Sequence, residues 1–554
     1  MRDKLAQAIA AVVKQLFDIE VAVELTRPEA QFGDYATNVG LQLAKQLGQP
    51  PRDISQQLAE KLQADHAELV ASASVAGPGF LNLTLQDAEL VAALETKPAQ
   101  PYANKTVVVE YSDPNPFKIL HAGHFYTSVV GDGIANLVER AGGQVHRVNF
   151  GGDVGLHVAK TMWAILQTLG GEQPEKLNEV EADKRSEWLA AAYVTGTAAY
   201  EDDEAAKPAI IELNKRIYQL QNENDHDSPL AQIYWTCRAW SYDYFNAFYD
   251  RINTHFEKYY PESETAPLGL KTVQEQLAKG VYKESDGAVV FVGEPYGLHT
   301  RVFINSEGLP TYEAKDVGLS FKKWEDYHFD TSIIITGNDI TEYMKVVLKS
   351  IEQFAPDLAN RTIHLTHGNV KLQGAVKMSS RKGNILRAVD VIEATAAANK
   401  QTGNGEETII GAIKYAFLKQ RIGADIIYVP EESVSLEGNS GPYLQYAHAR
   451  ARSILTKAGS AETAQLTELQ ADERSLVSKM TEYSEAIDKA VTDLMPHHVC
   501  TYLYELAQAF NRFYEHNRVL DDPRQSVRLS LVKTYADILE SGLGLLGITA
   551  PHSM

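Results

Sequence analysis

Residues 106–150 read TVVVEYSDPNPFKILHAGHFYTSVVGDGIANLVERAGGQVHRVNF. The run TVVVEY (106–111) is rich in β-branched residues and has no polar alternation, the pattern of a strand buried on both faces. Over 124–140, Phe125, Val129, Ile134, Leu137 and Val138 fall near one face of a helix, which Gly142 and Gly143 then end. VHRVNF (145–150) returns as a second strand. Strand, loop, helix, strand is a βαβ unit. It predicts a parallel sheet whose ligands sit beyond the carboxyl ends of its strands.

Around this unit the chain divides by composition. Residues 1–98 show helical patterns, then the turn GPGF (77–80) and a strand-like FLNLTL, and the polar ETKPAQPYANK closes them off as a small α+β domain. A Rossmann-like parallel-sheet domain is expected over 99–390, with TSIIIT (331–336) and TIHLTH (362–367) as further strands. Within it, about 159–286 reads as an acidic, helical insertion with a solvated face. A connector (391–435) leads to an all-α helical bundle (436–554). From about Ile409 onward the pattern is helical apart from the loop YVPEESVSLEGNSGP.

The composition excludes several classes. The chain has 554 residues, too many for one core, of which 44% are hydrophobic and 23% charged, as in ordinary globular proteins. MRDKLAQAIAAVVKQLFDIE at the start has helical spacing without a signal-type apolar core, and no stretch reaches the roughly 20 apolar residues of a membrane span, so a cytoplasmic protein with no membrane partner is expected. Cys237 and Cys500 cannot build a disulfide framework or a cysteine zinc site, and no protein-held metal is expected. A formal charge of -21 opposes loose binding to nucleic acid, so any such contact must be local.

Two stretches carry chemistry. His121-Ala122-Gly123-His124 lies between the buried strand and the first turn of the helix, where free backbone N–H groups and the helix dipole favour phosphate. Gly123 lets a flat nucleoside approach the backbone, and the imidazoles can donate to phosphate oxygens. About 250 residues later, KMSSRKGN (377–384) sets Lys377, Arg381 and Lys382 among Met378, Ser379 and Ser380. A cationic loop of that kind can close over a triphosphate and stabilise charge on departing pyrophosphate.

This pair resembles the two signature motifs of class I aminoacyl-tRNA synthetases. The segments VEYSDPNPFKILHAGH, GLPTYEAKD, KMSSRKGN, EGNSGPYLQYAHARARSIL and GLGLLGITAPHSM resemble arginyl-tRNA synthetases in order along nearly the whole chain. The resemblance implies ATP, carried with Mg2+, and L-arginine as substrates and tRNA(Arg) as partner. It implies an arginyl-adenylate intermediate and a monomer. His121, His124, Lys118 and Lys377 would be catalytic. Gly123, the two histidines, Met378, Ser379, Ser380 and Arg381 would bind ATP. Glu110, Ser112, Asn115, Tyr312 and Asp316 would hold the arginine, whose planar, permanently charged side chain demands carboxylates and oriented acceptors. Tyr312 and Asp316 are four apart, hence on one face if TYEAKD is helical.

For tRNA, the resemblance points to Tyr443, Tyr446, Arg450 and Met554; aromatic and guanidinium groups suit unpaired bases. FGDYATNVGLQLAK resembles the family's added N-terminal module, which contacts the outer corner of tRNA. Two departures stand out. Ile340 occupies the place of a family glutamine that helps hold the substrate amino group, leaving Asp339 or Glu342 to replace it. Ser380 stands where many class I enzymes have a second lysine, and Lys118 is the usual proposed substitute. The competing readings are a synthetase for another amino acid, a small-molecule nucleotidylyltransferase and a non-catalytic tRNA-binding paralogue. The long helical C-terminal region opposes the second, and the intact motif residues oppose the third.

Overall fold

The computed structural model describes residues 1–373, 386–399, 405–459 and 464–554. Five parallel strands form the central sheet, in the spatial order Thr362–His367, Thr331–Gly337, Thr106–Glu110, Gln144–Gly151, Lys258–Pro261. The chain builds outward from Thr106–Glu110 in one direction and then returns to its other side with Thr331–Gly337. That reversal opens a crevice at the carboxyl ends of these two strands. The helix Ala122–Arg140 follows the central strand, and its five expected core residues, Phe125, Val129, Ile134, Leu137 and Val138, are all buried.

The N-terminal region packs the helices Arg2–Phe17, Val39–Leu47 and Pro51–Asp65 with an antiparallel three-stranded sheet, Tyr35–Thr37, Phe80–Leu85, Val70–Ala76. The C-terminal bundle comprises Gly441–Ala458, Ala471–Thr481, Tyr483–Asp493, His497–His516 and Gln525–Leu545. Ion pairs clasp these two regions together: Arg27 to Glu485 at 2.8 Å and Arg474 to Asp34 at 2.8 Å. Among the described residues no helix is long and apolar enough to cross a membrane.

The helical insertion differs from expectation. Leu156–Leu169, Arg185–Asp202, Ala206–Asn222 and Pro229–Arg251 are helices with their own apolar core. Lys258–Pro261, however, is the edge strand of the central sheet, so the chain has re-entered that sheet well before residue 286. Its four residues, KYYP, are too short to show alternation, and the closing proline suits only a sheet edge. A three-stranded antiparallel sheet, Lys283–Ser285, Ala288–Phe291, Arg301–Ile304, follows. The expected helical run after Ile409 is likewise broken, because Ile426–Tyr428 pairs in parallel with Val370–Leu372.

Candidate active site

The helix Ala122–Arg140 begins with a reciprocal cap. His121 Nδ1 accepts the His124 backbone N–H at 3.3 Å, and His124 Nδ1 accepts the His121 N–H at 3.2 Å. The two rings stack with centroids 3.7 Å apart. Because each Nδ1 is an acceptor, each neutral ring carries its proton on Nε2, an assignment that follows from the hydrogen bonds. Burial, and next the charge of Lys118, holds His121 down at about 4. Burial, then His121, then Lys118 hold His124 well below the usual imidazole range. At neutral pH the pair is therefore an uncharged two-donor unit at a helix N-terminus. A Cβ on Gly123 would lie 2.9 Å from the His121 ring, so a larger residue there would displace the ring from this pairing.

The pair lines a cavity of about 730 Å³ in the crevice. Of the expected residues, Glu110, Ser112, Asn115, His121, Gly123, His124, Tyr312 and Asp316 all line it. Tyr312 and Asp316 do share a helix, Tyr312–Tyr327. Burial first pushes the Asp316 carboxyl up to about 8; the Tyr343 hydroxyl, which donates to it, opposes that rise, and the Glu110 charge adds to it. Glu110 is nearly inaccessible and its carboxylate is bound by the Lys323 ammonium, which also reaches Ser332 Oγ at 3.2 Å. Ser112 Oγ is 2.7 Å from the Tyr249 hydroxyl. Asn115 Oδ1 accepts the Gly152 N–H at 2.8 Å, which leaves its NH2 donors for a ligand.

Lys118 does not line the cavity: its ammonium lies 4.9 Å from the Tyr193 ring of the insertion, and burial brings it down to about 8. Ile340 does line it, as does Asp339, whereas Glu342 pairs with Lys345 at 2.6 Å on the surface. Lys377, Met378, Ser379, Ser380 and Arg381 fall outside the described residues. The chain flanking them is nevertheless anchored. Ala122 N–H donates to Leu386 O at 2.8 Å, Ala388 N–H donates to Leu120 O at 3.0 Å, and His121 bridges Arg387. Where the described chain resumes, at Leu386, it thus lies directly beside the histidine pair.

On the bundle, Tyr443, Tyr446 and Arg450 share the helix Gly441–Ala458. Tyr446 is 44% exposed, the Arg450 guanidinium lies 4.4 Å from the Tyr514 ring, and the Tyr443 hydroxyl accepts from Asn511 at 2.8 Å. The C-terminal tail docks on this helix through Gln445 to Thr549 O at 2.9 Å and His448 to Pro551 O at 2.8 Å, leaving Met554 exposed. Arg452 is taken up by Asp537 and Glu540.

Among the cavity residues that sequence reasoning missed are Asp113, Arg301, Tyr343 and His367. His367 ends a strand at its carboxyl side, where ligands collect, and could have been found on that ground. Asp113 lies within the quoted stretch, but nothing in its spacing separates it from a turn residue. Arg301 and Tyr343 sit far from any motif. Among the described residues no three His, Cys, Asp or Glu side chains converge to hold a metal.

Comparison with known proteins gives a consistent pattern. Residues 88–429 match a model described as tRNA synthetases class I (R), catalytic domain. Residues 1–85 match Arginyl tRNA synthetase N terminal domain, and 444–554 match DALR anticodon binding domain. The arginine-tRNA ligase of Bacteroides thetaiotaomicron is 28% identical over the full length of both chains. That of Lactobacillus delbrueckii subsp. bulgaricus is 30% identical over 99% of each. The solved arginyl-tRNA synthetase of Thermus thermophilus superposes with a TM-score of 0.80 at 28% identity, covering 100% of both chains.

Proposed function

The chain belongs to the class I arginyl-tRNA synthetase family, and from that premise we propose how its own residues carry out the ATP-dependent attachment of arginine to tRNA. In the first step the arginine carboxylate attacks the α-phosphorus of ATP; the bond to the β-phosphate oxygen breaks, and pyrophosphate leaves. In the second, a terminal ribose hydroxyl of tRNA attacks the adenylate carbonyl, and AMP leaves with the bonding electrons. Mg2+ belongs to the ATP substrate, riding on its phosphate oxygens. No covalent enzyme intermediate is needed, so positioning and charge stabilisation supply the catalysis.

The single observation that carries this reading is the joining of both halves of the chemistry in one crevice. The neutral histidine pair and Asp316, on the Tyr312–Tyr327 helix, line the same cavity. His121 and His124 donate from Nε2 to the α-phosphate oxygens. Their low basicity suits donors that keep their protons and remain uncharged beside one another. Asp316 faces the guanidinium, Tyr312 covers it, and Asn115 donates to the substrate carboxylate. Asp339 accepts from the α-ammonium where Ile340 cannot. Lys377 and its neighbours complete the charge around pyrophosphate. Tyr443, Tyr446, Arg450 and Met554 meet the tRNA anticodon arm.

One chain carries the cavity and the tRNA surface together, so a monomer suffices, and the reaction belongs to cytoplasmic translation. A charging assay tests the reading. The purified chain should transfer labelled arginine to tRNA in the presence of ATP and Mg2+, and should not transfer lysine. Charging with a different amino acid, or none with arginine, would refute it.

A further inference from the structure

We propose that Asp113 supplies the second carboxylate facing the substrate guanidinium, in the role that Glu110 cannot fill because it is committed to Lys323. This rests on the arginine-ligase reading above. A guanidinium offers five N–H donors in one plane, and burying it calls for more than one acceptor. Glu110, Asp113 and Asp316 line the same cavity. The Glu110 and Lys323 side chains are only 3% and 1% exposed. Lys323 cannot swing away without leaving a buried charge uncompensated, so the pair stays together and offers a substrate cation little net field.

Asp113 is differently placed. Among the described residues it has no ion-pair partner. Its Oδ1 accepts the Phe150 N–H at 2.8 Å across the carboxyl ends of two neighbouring strands, and its Oδ2 has no described partner. That direction is imposed by an unusual backbone: Ser112 and Asp113 both adopt left-handed φ, 77° and 50°, although neither is glycine. The Ser112 hydroxyl, held by Tyr249 and Ser128, keeps the turn in place. Local strain of this kind persists where surrounding structure enforces it and where a side chain must be aimed. Burial, then the Glu110 charge, pushes the Asp113 carboxyl up.

The test is Asp113→Asn in tRNA-dependent pyrophosphate exchange. Asparagine tolerates left-handed φ and keeps an oxygen for the Phe150 N–H, so the substitution isolates the charge. The KM for arginine should rise about 30-fold or more, with the KM for ATP and the melting temperature unchanged. Competitive inhibition by 2-hydroxy-5-guanidinopentanoic acid, which has the guanidinium but no α-ammonium, should weaken by the same factor. Unchanged inhibition beside a raised arginine KM would assign Asp113 to the ammonium and overturn the proposal. So would equal losses for arginine and ATP, or no change at all. A wild-type chain without arginine-dependent exchange would instead overturn the functional reading on which this one rests.

Discussion

His121 and His124 act as one unit because each ring accepts the other's backbone N–H, which leaves Nε2 of both as donors. His124→Ala should lower adenylate formation about 100-fold or more, since a preorganised donor to developing charge is worth about 3 kcal/mol. Pyrophosphate exchange measures this, and a melting curve separates it from unfolding; near-normal turnover in a folded variant would exclude His124 from the site. Asp316 gives a pH signature. Its carboxyl is raised to about 8, so below that pH it is mostly protonated in the free protein. A guanidinium binds the ionised form, and its binding must therefore expel a proton. The KM for arginine should fall as pH rises from 6.5 to 8, by up to about tenfold per unit, and level off above. Asp316→Asn should raise that KM about 30-fold or more and flatten the profile. An unchanged KM would assign the guanidinium to other carboxylates.

The Tyr312–Tyr327 helix reaches the cavity because it crosses Glu262–Ala278 at bare backbone. A Cβ on Gly269 would stand 1.9 Å from Ala314 O, and one on Gly318 would stand 2.1 Å from Thr265 O. Gly318→Ala should destabilise the fold by about 1–3 kcal/mol and raise the arginine KM more than the ATP KM. If melting and both constants stay put, the crossing does not set the position of Asp316. Elements of this length were legible in the sequence: the valine run and the period of 124–140 gave the βαβ unit, and the histidine turn gave its ligand end. Lys258–Pro261 was not, because four residues at a sheet edge carry no period. Nor was the claim of Lys323 on Glu110, a contact 213 residues apart along the chain that only the packed helix creates. Arg301 and Tyr343 were hidden for the same reason, each brought to the cavity by tertiary packing and not by a local motif.

At the scale of the molecule, two described segments join the crevice to the rest of the chain: Val370–Leu372 pairs with Ile426–Tyr428 on the way to the bundle, and Leu386–Ala388 pairs with the residues around His121. Lys414, fully buried, joins the helix Ala122–Arg140 to the C-terminal tail, donating to Gly547 O at 2.9 Å and pairing with Asp132 at 3.7 Å. A tRNA held on the bundle can therefore bias the active site through elements that touch both, provided it favours one arrangement over another. Tyr446→Ala should weaken tRNA affinity roughly 5- to 150-fold, the loss of about 1–3 kcal/mol of base stacking, and with it the tRNA-stimulated rate. Unaltered affinity would place the anticodon elsewhere. The most direct test of the whole account is amino-acid-dependent exchange of pyrophosphate into ATP, with and without tRNA. Arginine should support rapid exchange when tRNA is present and weak exchange without it, and lysine or citrulline should support none. Exchange driven by another amino acid, or none with arginine even when tRNA is supplied, would contradict it.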